Sequence, residues 1–287
     1  MQFDGASVNR VSEHICDKAS EILFNGRLEY ALSGDSFDLG RALAEYFSIK
    51  DNPAERTSPE LFALVKDAQK AKNSAAGSTA ESEKRFYEGF KCAPEAYTDI
   101  YNCYFDKGIV KFTGDDIFVD AGAQDMFTSF RFAKLAKGRY SGIYAFEPDR
   151  QNHLECVTNL ALFDDRTKLF PIALSDTKGN LGFTSSGHTS HIGGTGDTVF
   201  ADTLDNCLAG IKPSFIKIHV EGGELRAIAG AENTIKSASP LIAVSIDHCP
   251  GDIVSVPLKL LEIDESYHFY IRHYSSSITE TVLYAIK

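Results

Sequence analysis

The sequence predicts an α/β fold: a seven-stranded, mostly parallel sheet with an antiparallel last pair, preceded by a helical N-terminal region. Three observations carry this. From about residue 108, short apolar runs alternate with helical stretches, the pattern of a parallel sheet covered on both faces. The last two candidate strands, His268–Arg272 and Thr281–Ala285, are joined by too few residues for a parallel return, which needs about a dozen or more. Residues 1–107 show helical periodicity and no strand pattern. The expected division is therefore 1–107 helical and 108–287 sheet-forming.

In the first region Val11, Ile15, Ile22 and Leu23 fall on one helical stripe, with Asn25-Gly26 as the expected stop. Gly34-Asp35-Ser36 opens a segment carrying Leu39, Leu43, Tyr46 and Phe47. Ser58-Pro59 reads as a helix start, with Ser58 as cap and Pro59 in the first turn. Leu61, Phe62, Val65 and Ala68 form its apolar face. Residues 73–79 are small and polar and break the pattern before another helix from Glu81 to Phe90. Tyr97, Tyr101, Tyr104 and Phe105 form an aromatic stripe suited to packing the helices onto the sheet.

In the second region the expected strands are Ile117–Ala121, Gly142–Phe146, Leu169–Leu174, Phe215–Val220, Leu241–Ile246 and the final pair. Helical stretches fall at 129–137, 149–162, 203–210, 222–237 and 252–263. Residues 180–201 are an insertion. Leu181–Thr184 and Thr198–Ala201 form a small hairpin there, and its tip holds His188 and His191.

Composition narrows the function. The 287 residues carry a formal charge of -11 and no basic cluster, which argues against nucleic acid and anionic membrane as partners. No apolar run approaches the roughly 20 residues of a membrane span. The N-terminal residues lack a signal-peptide pattern. The six cysteines are scattered, which suits buried free thiols and a cytoplasmic setting.

The chemistry gathers at the first strand of the sheet. Ile117-Phe118-Val119-Asp120-Ala121 runs into Gly122, and a helical pattern follows Thr128-Ser129. In open α/β sheets ligands sit at the carboxyl ends of strands, where strand order reverses. Gly122 permits close backbone approach. Glu147 ends the second strand, where an acid can accept hydrogen bonds from both hydroxyls of a ribose. These features alone fit NAD and S-adenosylmethionine. The loop Asp120-Ala121-Gly122-Ala123-Gln124-Asp125-Met126 is not G-x-G-x-x-G, however, and it has no close glycine trio for a pyrophosphate. Asp120 and Asp125 repel phosphate and suit an ammonium. The helix start at Thr128 and Ser129 suits a carboxylate. The antiparallel last pair also departs from the dinucleotide-binding sheets. S-adenosylmethionine is thus favoured over NAD.

Six spaced segments also carry a resemblance: Val119–Ala123, Ala145-Phe146-Glu147-Pro148, Ala173-Leu174-Ser175-Asp176, Phe215–Gly222, Arg272-His273-Tyr274 and Glu280–Ala285. In that order they resemble the FkbM-type methyltransferase family over about residues 108 to 287. The resemblance implies a Rossmann-like methyltransferase fold, S-adenosylmethionine as cofactor, and O-methylation of a sugar or other small hydroxyl compound in a bacterial cytoplasm. It implies that Asp120, Gly122 and Gln124 line the methionine part of the site, that Glu147 holds the ribose, and that Ser175 and Asp176 lie near the adenine. Three departures stand out. Gln124 replaces the usual Asn or Tyr. Met126 stands where a second glycine is common, at a cost of roughly 1–2 kcal/mol if the backbone there is left-handed. In the K-I-D-V-E-G-A-E motif, His219 replaces Asp and Gly223 replaces Ala.

His219, at the end of a central strand, is a candidate base for removing the acceptor's proton. It is also readable as a spectator or, less so, as a lesion. Glu221 and His248 are the other catalytic candidates. Glu224 reads as a helix-start acid. Lys217, a charge inside an apolar strand, calls for a partner such as Glu147 or Asp120. His219, His248 and His273 together could form an acceptor pocket; nothing in their spacing supports a metal. The rival reading is a catalytically decayed member of the fold that serves as a binding or scaffold protein.

Overall fold

The computed structural model describes residues 4–49, 102–184, 191–192, 197–275 and 277–287. The expected helices starting at Ser58 and at Glu81, the break between them, Tyr97, Tyr101 and His188 lie outside the described residues. The elements in chain order are α1 (Gly5–Ser12), α2 (Lys18–Ser33), α3 (Ser36–Ile49), β1 (Ile117–Ala121), α4 (Phe127–Leu135), β2 (Gly142–Phe146), α5 (Arg150–Asn159), β3 (Thr167–Phe170), β4 (Ala173–Leu174), β5 (Gly179–Thr184), β6 (His191–Ile192), β7 (Asp197–Asp202), α6 (Leu204–Leu208), β8 (Phe215–Ile218), α7 (Glu224–Ala229), α8 (Glu232–Ala238), β9 (Leu241–Ser245), α9 (Asp252–Ile263), β10 (His268–His273) and β11 (Thr281–Ile286). Seven of the strands form one sheet in the order β10-β11-β9-β8-β1-β2-β3, with the last pair antiparallel as predicted. Two compact units share the chain: 1–106 with 246–254 and 269–283, and 107–245 with 255–268 and 284–287.

In the first unit the helices begin on side-chain caps. Asp4 accepts from the Ser7 N–H at 2.7 Å, and Asp17 from the Ser20 N–H at 2.8 Å. The expected stop at Asn25-Gly26 is wrong, because α2 runs through it to Ser33. Gly26 is there for packing: a Cβ on it would lie 2.2 Å from the Ala42 Cβ on α3. The true stop is Gly34, left-handed at φ 72°, whose N–H donates to the Tyr30 carbonyl. Leu39, Leu43 and Tyr46 on α3 are fully buried, as their spacing predicts. Ser20 Oγ accepts from the Ile271 N–H, and Arg272 pairs with Asp17 at 2.6 Å, so α2 holds β10 by its backbone and by its charge.

The core of the second unit forms on β1, β2 and β8. Their residues are buried almost without interruption, as strands covered on both faces should be. Phe118 stacks on Phe132 of α4 at 4.6 Å and meets Phe215 of β8 at 5.1 Å. Two expectations change here. The run Leu169–Leu174 is not one strand, since Pro171 has no N–H to donate and the ladder stops at Phe170. The insertion is more than a hairpin: β5 and β7 do pair antiparallel, but β4 adds parallel to β7 and β6 adds to β5, giving a separate four-stranded sheet. The stretch 222–237 likewise breaks into α7 and α8 at Gly230, where a Cβ would sit 1.9 Å from the Ser175 carbonyl oxygen.

His273, expected at the acceptor rim, is instead fully buried inside the first unit. Its Nε2 lies 2.9 Å from the Ser277 carbonyl, which can only accept, so Nε2 carries the proton and Nδ1 accepts from Thr281 Oγ1 at 2.7 Å. The Thr281 oxygen in turn accepts from buried Arg27 Nε at 2.9 Å. Burial first, and the Arg27 charge second, push the His273 pKa down to about 3. The folded pKa lies below the unfolded value of about 6.5. The neutral imidazole therefore contributes its full stability above about pH 6.5, and that contribution is lost as pH falls toward 3. Acidification from pH 7 to 5 should thus destabilise the wild type by about 2 kcal/mol more than His273→Gln, read by urea unfolding at both pH values. Equal losses in the two proteins would mean that His273 does not titrate on unfolding.

Candidate functional site

The β1–β2–β3 run leaves β1 on one side and the chain later returns through β8 on the other, so strand order reverses between β1 and β8. In open α/β sheets the loops leaving the carboxyl ends of such a pair of strands flank the ligand site. Here the two loops meet closely. The His219 N–H donates to the Ala121 carbonyl at 3.0 Å, and a Cβ on Gly122 would fall 1.8 Å from the His219 carbonyl oxygen. Gly122 is also left-handed at φ 77°. Both facts demand glycine.

From Gly122 to Met126 the loop is strained and heavily anchored. Gly122, Gln124 and Met126 have φ of 77°, 56° and 66°, two of them without glycine's freedom. The Gly122 and Ala123 N–H groups both donate to the Phe146 carbonyl at 3.0 Å. The Gln124 N–H donates to Glu147 Oε2 at 2.8 Å. The Cys156 thiol donates to the Gln124 carbonyl and the Asn159 amide to the Asp125 carbonyl, both at 2.9 Å. Burial pushes the Cys156 thiol up to about 12, so it stays a protonated donor. Asp125 Oδ1 accepts the Phe127 N–H at 2.8 Å and so closes the start of α4.

Glu147 is 5 % exposed. Burial raises its pKa, opposed by the N–H groups of Gln124 and Asp149, by the Asn152 side chain and by the Lys217 charge. A carboxylate offers about four acceptor positions. Three are engaged, by the Gln124 and Asp149 N–H groups and the Asn152 side chain. Asp120 is not placed as the sequence suggested. It is fully buried, pairs with Lys217 Nζ at 2.9 Å and accepts from Ser129 Oγ at 2.7 Å. Its charge is neutralised within the fold, and the Ser129 hydroxyl is turned inward to it. Lys217 thus has its partner in Asp120, its neighbour in the β1–β8 register. It also donates to the Ala121 and Gly122 carbonyls, at 3.2 and 2.6 Å.

On the other loop, His219 Nε2 lies 3.2 Å from Glu221 Oε1, and both side chains are partly exposed. Glu221 is left-handed at φ 50° and Gly222 follows at 92°. This turn swings the acid back onto the histidine. Glu224 is buried and accepts the Val220 N–H at 2.9 Å, the structural role expected of it.

The second unit therefore gathers Gly122, Gln124, Glu147, His219 and Glu221, with Asp120 and Lys217 beneath them. Ser175 and Asp176 make their bonds elsewhere. The Ser175 N–H donates to the Asp202 carbonyl of β7, and Asp176 pairs with Arg226 of α7 at 2.9 Å, both side chains exposed. That pair lines a surface groove with Leu258 and Lys259. His248 follows β9 and belongs to the first unit. Sequence reasoning missed the Cys156 and Asn159 anchors, because nothing in a helical pattern marks which polar residues face a neighbouring loop. Of the five cysteines in the described residues, all free, Cys103 and Cys156 are buried as expected, whereas Cys16 and Cys249 are exposed. Among the described residues no helix is long and apolar enough to cross a membrane.

Residues 120–271 match the methyltransferase FkbM domain family. No curated protein matches the chain. Among solved structures, the methyltransferase FkbM from Methylobacillus flagellatus KT aligns with a TM-score of 0.58 at 20% identity over 85% of this chain. This chain spans 65% of that one, just under two thirds of its length. The precorrin-6y C5,15-methyltransferase from Geobacter metallireducens GS-15 aligns with a TM-score of 0.40 at 16% identity, over 62% of this chain and 82% of that one. The first of these likenesses is one of fold alone.

The left-handed Met126 has a measurable consequence. Glycine there would relieve roughly 1–2 kcal/mol of backbone strain. The Met126 side chain, however, is 1 % exposed and packs with Ala123, Ala145 and Cys156. Truncating a buried methionine costs about 2–5 kcal/mol, so packing outweighs strain. Met126→Gly should lower unfolding stability by about 1–3 kcal/mol in urea titration. A stabilised variant would contradict this balance.

Proposed function

The chain belongs to the FkbM methyltransferase family, and from that premise we propose that it transfers a methyl group from S-adenosylmethionine to a hydroxyl of a small acceptor, a sugar first among them. The observation that supports this most is the Glu147 carboxylate. It is buried at the end of β2 and fixed by two backbone N–H groups, yet it keeps acceptor capacity beside the Gly122–Met126 loop. Gly122 and Gln124 would line the methionine part and Glu147 the ribose. Ser175 and Asp176 stand as adenine-side candidates through the family resemblance. Asp120 would act from beneath, through Lys217. The cofactor, when bound, supplies an electrophilic methyl on a sulfonium.

Methyl transfer to oxygen needs the acceptor aligned and its proton removed. His219 and Glu221 suit the second task. The acid orients the imidazole, and the imidazole accepts the hydroxyl proton. The rival reading, a decayed site kept as a scaffold, draws on the substitutions at Met126 and His219. The anchoring of the loop around Met126 and the pairing of His219 with Glu221 weigh against it.

Calorimetric titration tests the reading. Wild type should bind S-adenosylmethionine and not NAD, and Glu147→Ala should weaken binding by about 10- to 100-fold, the loss of a hydrogen bond to a charged group. Binding of neither cofactor would put the scaffold reading first. With an acceptor found by following S-adenosylhomocysteine release over a sugar panel, His219→Ala should lower kcat about 100-fold or more, and His219→Asp should recover part of it. An alanine variant as active as wild type would remove His219 from the chemistry.

A further inference from the structure

Lys217 is the most deeply placed cation of the second unit, at 3 % exposure in a strand that is otherwise apolar. Its ammonium meets three consecutive residues of the facing segment: it forms an ion pair with Asp120 Oδ1 at 2.9 Å and donates hydrogen bonds to the Ala121 carbonyl at 3.2 Å and the Gly122 carbonyl at 2.6 Å. An ion pair alone would need only the first. The other two act on peptide units, not on charge. With the Ala121 and Gly122 carbonyls drawn toward Lys217, the N–H groups of Gly122 and Ala123 are directed to the Phe146 carbonyl on the opposite strand. The loop is gripped on both sides where it leaves β1, and the left-handed residues Gln124 and Met126 follow that grip.

We propose that Lys217 is a positioning residue that holds the Gly122–Met126 loop in its cofactor-binding shape through the Ala121 and Gly122 carbonyls, and that Asp120 serves chiefly to neutralise it. This deepens the proposed function and rests on it for the cofactor. The grip itself can be tested without one. Lys217 touches neither cofactor nor acceptor in this account, so its effect reaches binding only through the loop.

Three proteins separate the grip from the charge pair: wild type, Asp120→Asn, and the double variant Asp120→Asn with Lys217→Met, which replaces both charges and leaves no unpaired buried ion. Amide hydrogen exchange is followed first, with no cofactor. In wild type the Gly122, Ala123 and Gln124 amides should be protected. Asp120→Asn leaves the ammonium without its counter-charge and should lower global stability, but it keeps the two carbonyl bonds, so these three amides should stay as protected relative to the β2 and β8 amides as in wild type. The double variant should exchange about tenfold or more faster at these three amides, with the β2 and β8 amides unchanged. S-adenosylmethionine affinity, measured by calorimetry on the same proteins, should fall about tenfold or more only in the double variant. Free exchange of these amides in wild type, or equal protection in the double variant, would overturn the proposal whether or not any cofactor binds. Faster exchange with unchanged affinity would also overturn it. A wild type that is protected but binds no S-adenosylmethionine would instead refute the cofactor assignment and, with it, the positioning role, while leaving the grip itself demonstrated.

Discussion

An ammonium buried between two parallel strands cannot stand alone. Taking an ion out of water costs several kcal/mol even after relaxation, and the cost is recovered only by a well-placed counter-charge with further hydrogen bonds. Lys217 meets this demand with Asp120 and two backbone carbonyls. Asp120 in turn needs the Ser129 hydroxyl at the first turn of α4. One buried charge thereby ties together β8, β1, the loop after β1 and the helix after the loop. A hydrophobic pair in the same space would stabilise the sheet at least as well. What it would not do is hold the Gly122 carbonyl, which accepts from Lys217, whereas the Ala121 carbonyl also accepts the His219 N–H. The ion pair is therefore better explained by the shape of the loop than by the stability of the sheet.

The same economy runs through the rest of the crevice. Glu147, Cys156 and Asn159 each spend a side chain on a backbone group of one short loop. Two non-glycine residues in left-handed conformation cost roughly 1–2 kcal/mol apiece, and the hydrogen bonds that anchor this loop, at about 1 kcal/mol each, outweigh that. Met126 adds buried apolar contact where a glycine would give none. A loop so over-determined is pre-organised, and pre-organisation lowers the ordering cost that a ligand must otherwise meet on binding. On the opposite loop the left-handed turn at Glu221 and Gly222 sets an acid against His219, the pairing a histidine base requires.

Much of this was legible in the sequence. The parallel sheet followed from uninterrupted apolar runs, the antiparallel last pair from a short connection, and the crevice from an acid and a glycine at the end of the first strand. The illegible parts have physical causes. Gly26 and Gly34 look alike as letters; one is a helix–helix contact and the other a left-handed stop, and only the partner Ala42 tells them apart. Pro171 ends a ladder inside what reads as one apolar run. Asp120 was legible as a site acid and as one of two possible partners for Lys217; only the β1–β8 register, set by a strand almost a hundred residues later, chooses it over Glu147. His273 is legible as a histidine near a strand end. Its burial against Thr281, Ser277 and Arg27 depends on a helix from the far end of the chain.

The central claim is that the loop after β1 and the carboxylate after β2 form a cofactor site held ready by the fold. A crystal structure of the full chain grown with S-adenosylhomocysteine tests this most directly. The amino-acid part of the ligand should lie along Gly122–Gln124, with a ribose hydroxyl on Glu147 and the loop unchanged from its free conformation. A ligand bound elsewhere, or a loop that rebuilds its Gly122 and Gln124 backbone to admit it, would contradict the account.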